Sequence, residues 1–273
     1  MSTLYVVATP IGNLEDVTLR ALRVLTEVSL IAAEDTRKTR RLLTRYGITT
    51  PLTSYYEHNK LTKLGNILER LASGDVALVS EAGMPGISDP GYELVVAAIA
   101  AGISVVPVPG ASAVVTALAV SGLPTDRFVF LGFLPSHAVA RRRFLREITG
   151  ERGTLVVYEA PHRLCTSLTD ILETLGDRRI AVCRELTKLH EEVFRGTVSQ
   201  AVAHFTAPRG EFTLVIDGGK GAAEPPSNAG IEEELGEMRR SGKTAKQAID
   251  ALAGRAGLSR KELYRAWLKQ KRA

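Results

Sequence analysis

The sequence predicts an α/β protein made of two α/β domains and a small helical tail. Short, continuously apolar runs alternate with stretches in which apolar residues recur every three or four positions. This is the pattern of buried strands and packed helices. Two turn-rich stretches, GLPTDR at 122–127 and GGKGAAEPPSNAG at 218–230, divide the chain. They place the predicted domains at 1–124 and 125–222, followed by a linker and tail at 223–273.

Eight strands are predicted, in the order LYVVA, SLIAA, VALVS, ISVVPV, FVFLGF, TLVVY, IAVCR and FTLVID. Helical patterns such as LTKLGNILERLASG and APHRLCTSLTDILETLG lie between several of them. Apolar strands that alternate with helices favour sheets covered on both faces. In the tail, KTAKQAIDALAGRAGLSRKELYRAWLK predicts two short helices around a turn, similar to a helix-turn-helix motif.

The composition favours a cytoplasmic protein with substantial cores. Hydrophobic residues make up 45% of the chain, too many for a disordered protein. The only two cysteines, Cys165 and Cys183, lie inside apolar runs, which favours reduced structural thiols over disulfides or a zinc site. The most apolar region, 94–123, is interrupted by glycines and prolines into pieces too short to span a bilayer. We expect no bound metal and no membrane partner.

Positive charge is concentrated at the C-terminal end of the chain. The net charge is +5, but the segment from Arg239 onward holds 11 basic and 2 acidic residues. Such a tail favours nucleic acid or an anionic membrane surface as partner, although a merely solvated helix is the alternative. Lys261, Arg265 and Lys269 recur at every fourth position and form a basic stripe on the last predicted helix. Trp267 and its neighbour Tyr264 either stack on bases or anchor the helices.

Unusual residues follow the ends of six predicted strands. In chain order these loops read TPIGN, AEDTRKTRR, SEAGMPGISDPG, PGASA, GFLP and EAPHR. Ligands of open α/β sheets bind beyond the carboxyl ends of the strands. Six such loops therefore indicate a shared ligand crevice, although ordinary turns also use these residue types. Within the third loop, Asp89 is expected to cap the following helix.

Several common site motifs are missing from the chain. It contains no GxGxxG, no complete P-loop, no HExxH, no paired CxxC and no GxSxG. Their absence disfavours hydride transfer on a standard dinucleotide fold, phosphoryl transfer, zinc hydrolysis and serine hydrolysis.

Taken together, the motifs TPIGNLEDVTLRAL, AEDTRKTRRLL, SYYEHN, SEAGMPGISDPG, VPGASA, GFLP, YEAPHR and RGEFTLVI resemble the tetrapyrrole-methylase superfamily. The resemblance covers nearly the whole chain and is strongest to the bacterial members that methylate small-subunit ribosomal RNA. Those members usually read SDAGTPGISDPG and SYHEHN, whereas this chain has Glu81, Met84 and Tyr56. Glu81 keeps a carboxylate, but Met84 removes a hydroxyl.

The resemblance implies S-adenosylmethionine as cofactor, in a cleft between the two α/β domains. It also implies a homodimer that methylates the ribose 2′-hydroxyl of a cytidine in the decoding region of 16S ribosomal RNA, on the small ribosomal subunit. Glycine in the third loop would let the backbone approach the cofactor or take a conformation other residues resist. Position by position, the implied cofactor-binding residues are Pro10, Gly83, Met84, Ile87, Ser112, Ala113, Ala160, Leu186, Phe212 and Thr213.

The implied reaction also needs groups for proton transfer and RNA binding. Glu81, on the third loop, and His58, in the polar SYYEHNK loop, are the predicted catalytic bases. Basic side chains would supply most of the RNA affinity. The predicted RNA contacts are Arg37, Lys38, Arg40 and Arg41, then Arg141, Arg142 and Arg143, then Lys261, Arg265 and Lys269.

Two alternatives stay open at this stage. A methyltransferase of the same superfamily could act on a tetrapyrrole, although the basic tail and the AED and EAPHR motifs argue against it. A DNA-binding protein without enzymatic activity could use the tail as its reading element, but the six strand-end loops would then have no role.

Overall fold

The computed structural model describes residues 2–57, 59–219, 228–252 and 258–269. Contacts divide the chain into two compact units. The body comprises residues 1–149 and 153–217, and the tail unit comprises residues 150–152 and 218–273. Two five-stranded sheets with helices confirm the predicted α/β class, and both sheets belong to the body. None of the helices in the described ranges has the length and apolarity needed to cross a bilayer.

The first sheet is built from the N-terminal strands. These are β1 (Thr3–Val7), β2 (Leu30–Ala33), β3 (Leu52–Ser54), β4 (Val76–Val79) and β5 (Ser104–Val108). All pairings are parallel, in the order β3-β2-β4-β1-β5. The helices of this segment are α1 (Leu19–Glu27), α2 (Thr36–Arg45), α3 (Lys60–Leu71), α4 (Tyr92–Ala100) and α5 (Ala113–Ser121). Because all five strands run the same way, the loops that follow them emerge at one edge.

The apolar runs of this sheet arise because both of its faces are covered. Successive residues of β4 contact different cores: Leu78 packs with Leu4 and Leu94, whereas Val79 packs with Val7 and Leu25. A residue on either face is therefore apolar, and the alternation of a half-exposed strand is lost.

The second sheet is mixed. Its strands are β6 (Phe128–Phe133), β7 (Thr154–Glu159), β8 (Arg179–Arg184), β9 (Glu192–Thr197) and β10 (Phe212–Ile216), in the order β6-β7-β10-β8-β9. Only β6 and β7 pair in parallel. The helices α6 (Ala138–Glu147), α7 (Pro161–Leu175) and α8 (Val198–His204) follow in the same segment.

Helix α5 connects the two sheets physically. Although it precedes the predicted boundary at residue 124, its Val114 and Leu118 pack against Val156 and Val215 of the second sheet. The alternate residues of those strands, such as Val157, face the core that contains residues of α7 and α8. The second sheet is thus also buried on both faces, and α5 covers part of one face.

Two strands, β3 and β9, were not predicted from the sequence. Each lies at the edge of its sheet. The three residues of β3 and most residues of β9 are half-buried. Because an edge strand is partly exposed, it does not need the continuous apolar run that identifies a central strand. This explains why EVFRGT lacks a strand-like pattern.

In its described residues the tail unit has three helices, where two were predicted. They are α9 (Asn228–Arg240), α10 (Ala245–Leu252) and α11 (Arg260–Lys269). Leu235, Ile249, Leu263 and Trp267 belong to a buried cluster inside the unit, so Trp267 anchors the helices. Tyr264, in contrast, is 48% exposed. The turn between α10 and α11 falls outside the described residues.

On α6, the structure contradicts one predicted RNA contact. Arg141 is only 3% exposed, and its Nε donates to Oδ2 of the buried Asp170 at 2.7 Å. The guanidinium also donates to the carbonyl oxygens of Pro135 and Ser136 at 3.3 and 3.2 Å. The prediction for Arg141 is therefore wrong, because its guanidinium is buried and paired with Asp170 inside the body. A run of arginines does not reveal which member points inward.

The other two arginines of this cluster lie nearer to solvent. Arg142 is half-buried and donates to the second oxygen of Asp170 at 3.2 Å. Arg143 is exposed and pairs with Glu147, one helical turn later, at 3.2 Å. Their predicted contact with RNA stays a prediction.

We expect Arg141→Ala to lower the free energy of unfolding by about 3 kcal/mol, because it leaves the buried charge of Asp170 with only one partner. Arg143→Ala is the matched control on the same helix. It should cost less than about 0.5 kcal/mol, since its ion pair is exposed. Urea unfolding followed by circular dichroism measures both values. Equal losses for the two variants would show that burial of Arg141 has no energetic consequence.

Candidate functional site

Two loops at the carboxyl edge of the first sheet are joined through their backbones. The N–H of Thr9, after β1, donates to the carbonyl oxygen of Gly83, after β4, at 2.9 Å. The N–H of Gly83 donates back to Thr9 at 3.0 Å. Gly83 holds this position with φ +81°, and Gly86 has the same φ. Other L residues rarely adopt such a φ. The predicted requirement for glycine at position 83 is confirmed as a backbone requirement.

A cavity of about 390 Å³ lies next to this pair of loops. Its walls come from the loops after β1, β2 and β4, the start of α5, the ends of β6, β7 and β8, and the start of β10. Nine of the ten predicted cofactor-binding residues line it, namely Gly83, Met84, Ile87, Ser112, Ala113, Ala160, Leu186, Phe212 and Thr213. The structure thus brings these residues together, while their role in binding stays a prediction.

The tenth predicted residue, Pro10, lines a neighbouring cavity of about 410 Å³. The two cavities share Ile11, Glu81, Ala82 and Glu211 in their walls. Pro10 therefore lies in the wall of a cavity that adjoins the first one.

The walls of the first cavity fit the parts of S-adenosylmethionine. Ile87, Leu186 and Phe212 offer apolar surface for an adenine ring. The first residues of the nine-residue helix α5 also face the cavity, and the side chain of its N-cap Ser112 makes no capping hydrogen bond. Such a helix terminus attracts a carboxylate, as at one end of the cofactor.

Acidic side chains dominate the polar part of the wall. Asp89 and Glu34 line the cavity together. Burial, and then the negative charge of Glu34, raise the pKa of Asp89 to about 7, against a hydrogen bond from Ser80. Burial also raises the pKa of Glu34, although Lys38 opposes this shift. A site of this charge favours a ligand that carries positive charge.

The sequence did not identify Asp89 as a site residue, and the helix-capping role expected for it is wrong. The N-cap of α4 is Gly91, and no side chain makes a capping hydrogen bond there. Ser88, with φ +62°, precedes Asp89 in the loop. The sequence motif SDPG is compatible with either outcome, so only the loop conformation could distinguish a cap from a cavity wall.

Of the two predicted catalytic residues, Glu81 is at the site. Its carboxylate forms an ion pair with Lys38 of α2, and its N–H donates to Glu34 at 3.0 Å. Glu81 borders both cavities. His58 lies outside the described residues. In the described part of the chain, no three His, Cys, Asp or Glu side chains gather in a way that could hold a metal ion.

A basic groove of about 720 Å³ lies along the exposed side of α2. It contains the predicted RNA contacts Arg37, Arg40 and Arg41, together with Arg45, which the sequence analysis did not single out. Arg41 also lines the second cavity, as does Lys38. The groove therefore shares wall residues with the second cavity, and the second cavity shares wall residues with the first.

The predicted tail contacts are partly described. Lys261 and Arg265 are exposed on α11, one helical turn apart, as the basic stripe requires. The side chain of Lys269 lies outside the described part of the structure.

Comparison with known proteins identifies relatives of this chain. Residues 3–202 match the model of the tetrapyrrole (corrin/porphyrin) methylases. The ribosomal RNA small subunit methyltransferase I of Halalkalibacterium halodurans is 49% identical over 269 residues, covering 96% of this chain and 93% of that protein. The protein of the same name from Bacillus subtilis is 44% identical and covers 98% and 94%. That from Thermotoga maritima is 52% identical over 221 residues, covering 80% and 99%.

Solved structures show the same fold at lower identity. The uroporphyrin-III-C-methyltransferase of Thermus thermophilus has a TM-score of 0.57 at 22% identity, covering 79% of this chain and 94% of that one. A diphthine synthase has a TM-score of 0.61 at 14% identity, covering 80% and 90%. At this identity the likeness concerns the fold alone.

We expect Gly83→Ala to weaken S-adenosylmethionine binding at least tenfold. An alanine Cβ would find ordinary space, since Ile11 Cγ2 lies 3.5 Å away. The positive φ is therefore the constraint, and relieving it would shift the hydrogen-bonded loops. Gly102→Ala is the matched control, with φ +70° and open space around its Cβ. Each variant should lose about 1–2 kcal/mol of stability, but calorimetry should find weaker binding only for Gly83→Ala. Equal affinity for both variants would contradict the role of this loop.

Proposed function

The chain belongs to the tetrapyrrole methylase family of methyltransferases, and we propose that it methylates small-subunit ribosomal RNA with S-adenosylmethionine as donor. The finer proposal is transfer to the ribose 2′-hydroxyl of a cytidine in the decoding region of 16S ribosomal RNA. The observation that carries the proposal is that the second cavity shares wall residues both with the cofactor-sized cavity and with the basic groove on α2. A small-molecule substrate does not require an extended row of arginines, whereas an RNA strand does.

The relatives support the same substrate class. Proteins named ribosomal RNA small subunit methyltransferase I match this chain over nearly their whole lengths. A tetrapyrrole substrate is the second candidate, and the fold shared with a uroporphyrin-III-C-methyltransferase is compatible with it. The row formed by Arg37, Arg40, Arg41 and Arg45 favours RNA.

The chain's own residues would hold the cofactor in the first cavity. When bound, S-adenosylmethionine supplies a methyl group on a positively charged sulfur. Ile87, Leu186 and Phe212 would contact its apolar part, and the start of α5 would take its carboxylate. Glu34 and Asp89 keep the cavity negative and so favour a cation. Because the methyl group is already activated, correct positioning of the hydroxyl supplies much of the rate enhancement.

The target nucleotide would enter through the second cavity. Arg37, Arg40 and Arg45 would bind the phosphates of the flanking strand along the groove. Arg41 and Lys38 would bind nearer to the reacting ribose, since both line the second cavity. Glu81, which pairs with Lys38, would hold that ammonium at the border between nucleotide and cofactor.

The tail unit would add affinity for RNA without taking part in the chemistry. Its exposed Lys261 and Arg265 supply charge. A tethered second site raises overall affinity through effective concentration. The Thermotoga maritima relative is matched over 99% of its length by 80% of this chain. This leaves a segment about as long as the tail unit without a counterpart in it.

We further propose a cytoplasmic homodimer. Tyr92, Val96 and Ile99 recur along α4 and are 71%, 46% and 62% exposed. An apolar stripe of this kind on a helix favours burial against another protein surface. A second copy of the chain is the partner that the family resemblance implies.

The proposed activity is tested with cofactor that carries a labelled methyl group. We expect the label in the RNA of small ribosomal subunits that lack this modification, and recovery as a 2′-O-methylated cytidine after nuclease digestion. Naked 16S RNA and a porphyrinogen are offered in parallel. Labelling of the porphyrinogen but not of either RNA sample would replace this proposal by the tetrapyrrole alternative.

The role of the basic groove predicts a specific salt dependence. Arg40→Ala together with Arg41→Ala should weaken RNA binding and flatten the log–log salt slope by about 1.4 units, that is about 0.7 per lost phosphate contact on a single strand. The double variant Arg20→Ala and Arg23→Ala is the control, because it removes two exposed charges of α1 outside the groove. Filter binding between 50 and 300 mM salt (roughly the useful range) measures the slopes. Identical slopes for both double variants would show that RNA does not bind in the groove.

A further inference from the structure

The tail unit contains two aromatic residues, and their environments differ. Trp267 belongs to the buried cluster of the unit, and the guanidinium carbon of Arg239 lies 5.2 Å from the centre of its ring system. Tyr264 is exposed and is not part of that cluster. The packing of the tail helices therefore uses Trp267 and leaves the ring of Tyr264 accessible.

Tyr264 forms one side of a pocket between α10 and α11, which we call the tail pocket. It has a volume of about 510 Å³ and is lined by Ala245, Lys246, Ile249, Arg260, Lys261 and Tyr264. Ile249 belongs to the buried cluster, and Ala245 packs against it. The apolar part of the pocket is thus held in place by the core of the unit.

Three cations line the tail pocket beside Tyr264. Arg260 and Lys261 precede it on α11 by four and three positions, so the three side chains lie on one face of that helix. Lys246 joins them from α10. Among the described residues that line the pocket, none is acidic. Asp250, which does not line it, forms an ion pair with Arg260 and so orients the guanidinium at the rim.

An exposed aromatic ring beside cations is an arrangement by which proteins bind single-stranded nucleic acid. The ring stacks on a base, and the cations bind the phosphates that flank it. Because every base has a flat face, such a site binds unpaired nucleotides with little regard to sequence. An acidic protein surface would engage the cations, but it has no base to place against the ring.

We propose that the tail pocket binds one unpaired nucleotide of RNA, with the base stacked on Tyr264 and the flanking phosphates bound by the three cations. This inference rests on the proposed function, since it takes RNA as the partner of the tail unit. It goes beyond a general affinity for a polyanion, because a base can stack on the ring only where the strand is unpaired. The tail unit would therefore select single-stranded segments of its substrate over helical ones.

Salt concentration separates the contribution of stacking from that of charge. Each phosphate contact on a single strand releases counterions and steepens the log–log salt slope by about 0.7 units. Stacking on a neutral ring releases no counterions. Loss of Tyr264 should therefore lower the affinity equally at every salt concentration, whereas loss of Lys261 should also flatten the slope.

The proposal is tested with a short single-stranded oligocytidylate and the full-length chain. All variants carry Arg40→Ala and Arg41→Ala, so that binding in the groove on α2 is weakened, and fluorescence anisotropy gives the affinity. We expect Tyr264→Ala to weaken binding at least fivefold, or about 1 kcal/mol, the lower end of the range for one stacked base. Its salt slope should equal that of the parent chain. Tyr264→Phe keeps the ring and should bind within about twofold of the parent.

Two controls isolate the base and the ring. Leu268→Ala removes an exposed apolar side chain of the same helix that does not line the tail pocket, and it should leave the affinity unchanged. An oligonucleotide of equal length with abasic sites keeps the phosphates and lacks the bases. With this probe, the difference between Tyr264→Ala and the parent chain should disappear. Circular dichroism and urea unfolding check that the variants keep their helices.

Three results would overturn the proposal. The first is an affinity of Tyr264→Ala equal to that of the parent chain. The second is an equal loss with the abasic probe, which would make the tail pocket a site for phosphates or for another anionic partner. The third is a flattened salt slope in Tyr264→Ala, which would mean that the ring only places the cations. These measurements need neither cofactor nor turnover, so protein that methylates no RNA would sink the proposed function without deciding them.

Discussion

The backbone connection between Thr9 and Gly83 is the constraint on which the site depends. Two hydrogen bonds and one left-handed glycine conformation fix where the loops after β1 and β4 leave the first sheet. Met84, Ile87 and Asp89 line the first cavity, and Pro10 lines the second. A parallel sheet brings the two strand ends to the same edge, and the two cavities adjoin there through shared wall residues.

Charge is distributed along this space in a consistent order. The groove on α2 is lined by arginines, and the first cavity is lined by carboxylates. The ion pair of Lys38 and Glu81 lies between them. A polyanion is attracted to the first region and a cation to the second, so the two proposed substrates would be held apart until the nucleotide enters. Burying neighbouring carboxylates in one cavity opposes their ionisation. The pKa of Asp89 is raised for this reason.

The sequence predicted the central strands, because burial on both faces of a sheet requires unbroken apolar runs such as VALV. It missed the edge strands β3 and β9, whose partial exposure relaxes that requirement. The need for glycine at position 83 was recognisable from the crowded turn chemistry around it. The inward direction of Arg141 and the placement of Asp89 were not, because both depend on how a helix or loop is rotated against the rest of the body. The spacing of residues along the sequence does not indicate that rotation.

We propose that the first cavity binds the cofactor and that the second receives the ribose. A crystal structure of the protein with S-adenosylmethionine bound tests this most directly. We expect density for the adenosyl group between Ile87 and Phe212, for the carboxylate at the start of α5, and for a methyl group directed toward Glu81 and the second cavity. Density for the cofactor in the cavity lined by Pro10 and Lys38, or a methyl group directed away from that cavity, would show that the two sites are assigned wrongly.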